Sequence, residues 1–324
     1  MKRRTSQTRT SAFTLVELLV VISIIGLLIA IALPAFKHAR IAAKKTATKA
    51  VITSIESGLT MYREEQALGN TYPPSASDKR TTGNPSLPVI AHPTETLNSN
   101  PDVRISGASL LVYGLAGAQL QGTHGFKRVG SFSTWAESMT GEKGSGGLYD
   151  VNANPPWPSY GPFAGANLLD RVSSLGDLEK FPVDQLSAGL NATELGQYVF
   201  KDDFGGPILY YKARPAARAM LTNPGNNTIG IYDIRDNLIL TSYPNSRLGG
   251  TLYDGDTGFG TERKVGDANY YKNFDYFILD KKASRVANGN TVVGRPVRPD
   301  SFLLISAGPD LLFGTDDDVV NWNN

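Results

Sequence analysis

Residues 13–34 read FTLVELLVVISIIGLLIAIALP, an apolar run carrying one charge, Glu17. Continued as a helix to Phe36, the run spans roughly 36 Å, enough to cross a hydrocarbon core of about 30 Å with some tilt. That length marks a membrane anchor rather than the core helix of a small domain. Burying a lone carboxylate near the end of such a helix costs on the order of a few kcal/mol, so Glu17 calls for a cationic partner. Residues 1–12, MKRRTSQTRTSA, carry Lys2, Arg3, Arg4 and Arg9 and no acidic residue, a short basic leader.

Three processing fates are open to such an N-terminus. A general secretory signal would be cut at a small-x-small site, and Ala30-Ile31-Ala32 supplies one, although Glu17 and the length of the run argue against that class. A plain single-pass anchor would stay uncut. The third fate follows from a resemblance: Ser11-Ala12 followed by FTLVELLVVISIIGLLIAIALP is similar to the N-terminus of type IV prepilins and of the pseudopilins of type II secretion systems. The resemblance implies cleavage by prepilin peptidase between Ala12 and Phe13, then N-methylation of Phe13. It departs at Ala12, where the family usually has Gly, and Ala is small enough for cleavage to be expected.

The same resemblance places the family's glutamate at Glu17 and its helix-kinking proline at Pro34. The physics agrees with those roles. A new amine at Phe13 is the cation that a neighbouring copy's Glu17 can neutralise in lipid or a filament core, which sets the stagger between copies. Proline at position 34 lacks an amide hydrogen and is expected to bend or loosen the helix. Charge on the two sides of the span does not fix orientation, because Lys37, Arg40, Lys44, Lys45 and Lys49 balance the leader. The resemblance implies a leader in the cytoplasm, a single pass through the bacterial inner membrane, and a C-terminal domain in the periplasm or outside.

The chain has 324 residues, room for the helix plus one sizeable domain or two small ones. Its net charge of +2 becomes −2 once the leader's four basic residues are removed, and no nucleic-acid partner is implied. Cysteine is absent, so an exported domain must be held by its core or by a metal instead of disulfides.

Beyond Pro34 the helical pattern continues, with Val51, Ile55, Leu59 and Tyr62 three or four apart in an apolar stripe, until Gly69-Asn70 and Pro73-Pro74 stop it. The organisation expected is a leader at 1–12, a transmembrane and assembly helix at 13–36, and its amphipathic continuation at 37–69. A loop-rich insertion with short helices follows at 70–196, then an antiparallel sheet with an acidic loop at 197–324. Inside the insertion, 106–121 and 168–178 read as short helices. The glycine cluster at 144–147 is not a phosphate loop, since no Gly-Lys-Ser/Thr follows it.

Strand signals begin at Gln197. Residues 198–211 read strand, turn, strand around an Asp/Gly/Pro turn, with further strands at 228–234, 238–242, 274–279 and 301–305. The turn Asp203-Phe204-Gly205-Gly206-Pro207 resembles the hairpin of major pseudopilins, with Phe204 where those usually have Trp. The motif YDGDTGFG at 253–260 suits a turn better than a calcium loop, for want of a third acidic residue in register.

After the last apolar strand, Asp310, Asp316, Asp317 and Asp318 crowd one loop. Calcium takes six to eight oxygens in flexible geometry, and a loop with separated Asp residues and a Gly pivot can wrap it. Adjacent carboxylates cannot all face one ion, so Asp310, Asp316 and Asp318 are the expected ligands, with Asp317 turned outward. The stretch resembles the calcium loop of major pseudopilins through Ser306, Gly308, Asp310, Gly314 and 316–318, with a spacing that differs by a few residues. A solvated acidic turn is the alternative.

Nothing points to an enzyme. There is no cysteine, the histidines at 38, 92 and 124 lie in unrelated segments, and no nucleophile-elbow or metalloprotease pattern occurs. The expected fold is α+β: a long N-terminal membrane-spanning helix packed on a small antiparallel sheet, type IV pilin-like, with a large loop-rich insertion. The resemblance implies a structural subunit of a homo-oligomeric filament, a type II secretion pseudopilus, whose partners are prepilin peptidase, an inner-membrane assembly platform, minor pseudopilins and the membrane. A type IV pilin for adhesion or motility, or an anchored binding domain that never polymerises, are the alternatives.

Overall fold

A computed structural model describes residues 15–75, 106–117, 120–123, 160–181, 195–217, 219–221, 230–241, 274, 277–280, 285–287, 291–293 and 295–322. The chain divides into two compact units, residues 1–44 and 45–324. Helix α1, Leu15–Glu64, contributes to both.

In the first unit, every described large apolar side chain from Leu15 to Phe36 is exposed, save for half-burial at Ala32 among the smaller ones. The most apolar stretch of the helix has none of its residues buried inside the protein. Such a surface is stable only against lipid or another apolar helix. Pro34 lies inside α1 without ending it, since the surrounding backbone bonds outlast the one that proline deletes.

In the second unit, Thr48, Val51, Ile52, Ile55, Gly58, Leu59 and Tyr62 of α1 are buried, one face of a 3.6-residue period. They pack with α2, Gly107–Ala116, and with Phe200, Ile208, Tyr210, Phe302 and Leu304. Helix α2 is buried at every position and lies against strands β2, Tyr198–Phe200, and β3, Ile208–Lys212. Its two glycines, with a third at the C-cap, argue for a weak helix on propensity. The structure shows why one of them is there: a Cβ on Gly107 would sit 2.3 Å from the Tyr210 carbonyl oxygen, so glycine lets the helix start touch the strand.

The central sheet is antiparallel and three-stranded, β3 beside β8, Phe302–Ser306, beside β9, Val319–Val320. Strands β3 and β8 are apolar almost throughout because both faces are covered. Ile208, Tyr210, Phe302 and Leu304 face the α1 and α2 cluster, while Leu209, Tyr211, Leu303 and Ile305 face a second cluster with Tyr232, Ile234, Ile239, Phe274 and Phe313. Smaller pairs flank it. Strand β1, Val172–Ser174, pairs antiparallel with β2, and β6, Arg285–Ala287, with β7, Thr291–Val293. Strand β4, Ala219–Leu221, runs parallel to β5, Gly230–Tyr232. The long helix and small antiparallel sheets make the α+β fold expected, with this parallel pair as the exception.

Three local expectations are corrected. Residues 168–178 are not one helix: α3, Ala166–Leu169, ends and the chain enters β1, because pairing with β2 outweighs local propensity. Residues 238–242 are not a strand but helix α4, Leu238–Thr241, continuing the 3-10 turn Ile234–Asn237. At 274–279, Phe274 and Phe277 are helical, and the Ile278 amide donates to the Phe274 carbonyl at 3.0 Å. Short apolar runs carry no period long enough to separate helix from strand. The motifs at 144–147 and 253–260, and His92 and His124, lie outside the described residues.

Candidate functional site

The acidic loop is the connection between β8 and β9. Strand β8 ends at Ser306, Ala307 leads into a 3-10 turn, Gly308–Asp310, and Leu311 follows with φ 58°. The turn is tight at Gly308, whose φ is +67° and where a Cβ would lie 2.4 Å from the Asp317 carbonyl oxygen. Phe313 is fully buried and meets Phe181 edge-on at 6.0 Å, pinning the middle of the loop to the core. Both ends are thus held by a strand and the centre by a ring, so the acidic side chains are drawn together.

Those that converge are Asp310, Asp317 and Asp318, with one carboxylate oxygen of each within 4.8 Å of the others. Asp316 is exposed and outside the group. The set expected from spacing is Asp310, Asp316 and Asp318; the residues the fold brings together include Asp317 and not Asp316. The reason is Thr315, whose hydroxyl reaches Asp317 Oδ1, Asp318 Oδ1 and the Leu312 carbonyl. A single proton cannot serve three acceptors at once, so the hydroxyl gathers the two carboxylates without neutralising them. Asp318 also accepts from the Gly314 amide at 2.8 Å, and Asp310 from the Leu312 amide at 2.9 Å.

Burial pushes Asp318 up to about 7, against the pull of the Gly314 and Thr315 hydrogen bonds, with Asp310 adding repulsion. Asp310 is raised by desolvation and by the Asp317 charge. The repulsion among three crowded carboxylates, Asp310 exposed and the others half-buried, can be relieved by a proton, a cation or solvent. The donors are all oxygen, which fits a hard divalent ion such as calcium, with backbone carbonyls and water completing its shell.

Behind the loop lies an anchor that sequence reasoning missed. Asp202, buried, accepts from the amides of Phe204, Gly205 and Gly206 at 2.8, 2.7 and 2.9 Å, and from the Ser306 hydroxyl. The Ser306 oxygen in turn accepts from the Gly308 amide at 3.3 Å. The expected turn at 203–207 is thus organised by the residue before it, and it closes an isolated bridge between Lys201 and Pro207. The signal was present as an Asp immediately ahead of a Gly-containing turn, where side chains commonly cap the backbone two to four residues on. Burial raises the Asp202 pKa, opposed by the Ser306 hydroxyl and the three amides.

A second unforeseen set ties α1 to the end of the chain. Arg298 donates to Glu56 at 2.6 Å and to the Asn321 carbonyl at 2.7 Å, and Asn321 Nδ2 donates to Glu56 at 3.1 Å. No local pattern announces a pair 242 residues apart.

Among the N-terminal site residues, Glu17 stands exposed in the first described turn of α1 and Pro34 lies within the same helix. Ala12 and Phe13 lie outside the described residues. Residues 8–33 match the model of the prokaryotic N-terminal methylation motif. The motif supports a type IV pilin-like protein. Such a motif implies processing by prepilin peptidase and association with a membrane, and the one long apolar helix near the N-terminus is consistent with a single anchor. A search of curated proteins and a search of solved structures each returned no match.

Proposed function

We propose that this chain is a pseudopilin, a subunit that is cut between Ala12 and Phe13, N-methylated at Phe13 and assembled into a type II secretion pseudopilus. The observation that carries the reading is the methylation motif at 8–33 with Glu17 near its start. Anchored in the inner membrane, the subunit waits with an apolar helix whose exposed face is satisfied only by lipid or by other copies of itself. An assembly platform in that membrane moves copies into the filament and minor pseudopilins begin it. Glu17 meets the Phe13 amine of a neighbour, which fixes register.

Calcium is the proposed resident ion of the acidic loop, held by Asp310, Asp317 and Asp318. It would supply positive charge where three carboxylates crowd, and so tie the β8–β9 connection in a chain that has no cysteine. That choice of closure favours a pseudopilin over a disulfide-closed pilin.

The test is intact mass and N-terminal sequencing of the protein recovered from membranes of cells that carry prepilin peptidase. A chain starting at N-methylated Phe13 is expected. A start after Ala32 would indicate a secreted protein, and an uncut Met1 a plain anchor; either removes the filament reading.

A further inference from the structure

The exposed apolar part of α1 ends at Phe36, and a basic stripe begins at the next residue. Lys37, Arg40 and Lys44 are spaced three and four apart, so they lie on one face of the helix. The segment also holds Ala39, Ala42 and Ala43, exposed and uncharged, on the other side. From Leu18 to Lys44 there is no acidic residue. The stripe rises roughly 10 Å from Lys37 to Lys44, comparable to the headgroup layer of about 5–8 Å on each side of a bilayer. Helical side chains lean toward the N-terminus, here back toward the span, and Lys and Arg reach further by snorkelling.

We propose that Lys37, Arg40 and Lys44 form a docking stripe for anionic phospholipid headgroups at the membrane face where α1 leaves the apolar layer. The inference rests on the reading of α1 as a membrane anchor and adds a preference among lipids. Phosphate is the partner whose position matches: it sits in the layer that the stripe crosses, and it supplies the negative charge that the helix itself lacks there.

The chain has no cysteine, so Ala39→Cys introduces a unique thiol for a fluorophore at the level of the stripe and clear of its side chains. The full chain, carrying that label, is reconstituted in phosphatidylcholine vesicles containing a small fixed fraction of headgroup spin-labelled phosphatidylglycerol or spin-labelled phosphatidylcholine. At low salt, quenching by the anionic probe should exceed that by the neutral one by roughly threefold, and the excess should shrink at high salt. The triple change Lys37→Gln, Arg40→Gln, Lys44→Gln should bring the ratio to about one, while Lys37→Arg with Lys44→Arg keeps it.

Strong but equal quenching by both probes in the native chain overturns the stripe and leaves the anchor standing. Quenching by neither overturns the anchor. An excess that survives the triple change assigns the preference to other residues, and a triple change that blocks filament assembly without altering the ratio assigns the stripe to a protein partner; both refute the lipid role.

Discussion

Asp318 is the residue whose environment is most at odds with its chemistry. Burial pushes it up to about 7, whereas a carboxyl of this kind has an ordinary value of 3.8. In chelator the folded chain therefore keeps a proton that the unfolded chain has released. Stability contributed by this group is highest below pH 4, falls as pH rises toward about 7, and is level above that. Thermal melts of the detergent-solubilised chain in chelator should give a higher Tm at pH 5 than at pH 7.5, and Asp318→Asn should flatten that difference. Saturating calcium at pH 7.5 should restore stability, by about 2.7 kcal/mol at a hundredfold excess over Kd. A native chain whose Tm at pH 7.5 is indifferent to calcium sinks the metal assignment. Asp202 is also raised by burial, but it is an acceptor engaged by four donors. Asp202→Ala strands three amides and the Ser306 hydroxyl, and should cost about 3 kcal/mol in denaturant unfolding, with the β8–β9 loop losing hydrogen-exchange protection. Both residues sat in plain view as Asp-rich turns, but which oxygen faces which donor is not written in spacing.

At the scale of elements, α2 shows packing overruling propensity. Replacing a helical glycine by alanine favours an isolated helix by about 1 kcal/mol. At Gly107 the added Cβ meets the Tyr210 carbonyl at 2.3 Å and the Ser75 carbonyl at 3.0 Å, so Gly107→Ala should destabilise the chain by about 2 kcal/mol or more. A neutral or stabilising result by equilibrium unfolding would show that α2 does not press on β3. The lower half of α1 is legible from its 3.6-residue stripe, whereas its tie to the C-terminal segment is not. Glu56 and Arg298 are each about a third exposed, at 29% and 31%, and a double-mutant cycle between Glu56→Gln and Arg298→Ala should return a coupling of about 1 kcal/mol. The helical residues within 234–241 and at Phe274 and Phe277 escaped sequence reading for a different reason. Their apolar residues are few and consecutive, so period could not decide, and Thr241 closes its turn by bonding the Asn237 carbonyl at 3.1 Å.

For the whole molecule, the pilin-like motif and the fold divide the work between the two units. The first unit exposes a surface that water will not tolerate, and the proposed filament is its resolution. Glu17→Ala should leave membrane insertion intact, since it removes the only charge from the span, while abolishing filaments seen by shearing and electron microscopy. Filaments of normal abundance would remove Glu17 from the assembly register. The second unit carries its own two apolar clusters on opposite faces of the β3–β8–β9 sheet, and needs no neighbour to bury them.

Some properties of this protein were set by contiguous residues alone: the long apolar run, the basic residues ahead of it, the methylation motif, the apolar strands at 208–212 and 302–306, and the presence of an acidic C-terminal loop. Each depends on local composition or on a period that a few turns suffice to express, so the chain order contains it. The tertiary structure decided the rest. It brought Asp317 rather than Asp316 beside Asp310 and Asp318, because Thr315 and the buried Phe313 orient the loop from outside its own carboxylates. It placed α2, which lies within the stretch expected to be loop-rich, at the centre of the second unit's core, because Gly107 allows a contact with Tyr210 that no propensity scale contains. It joined Glu56 to Arg298 and Asn321, since charge pairing across such a separation exists only once the sheet has brought the two segments together.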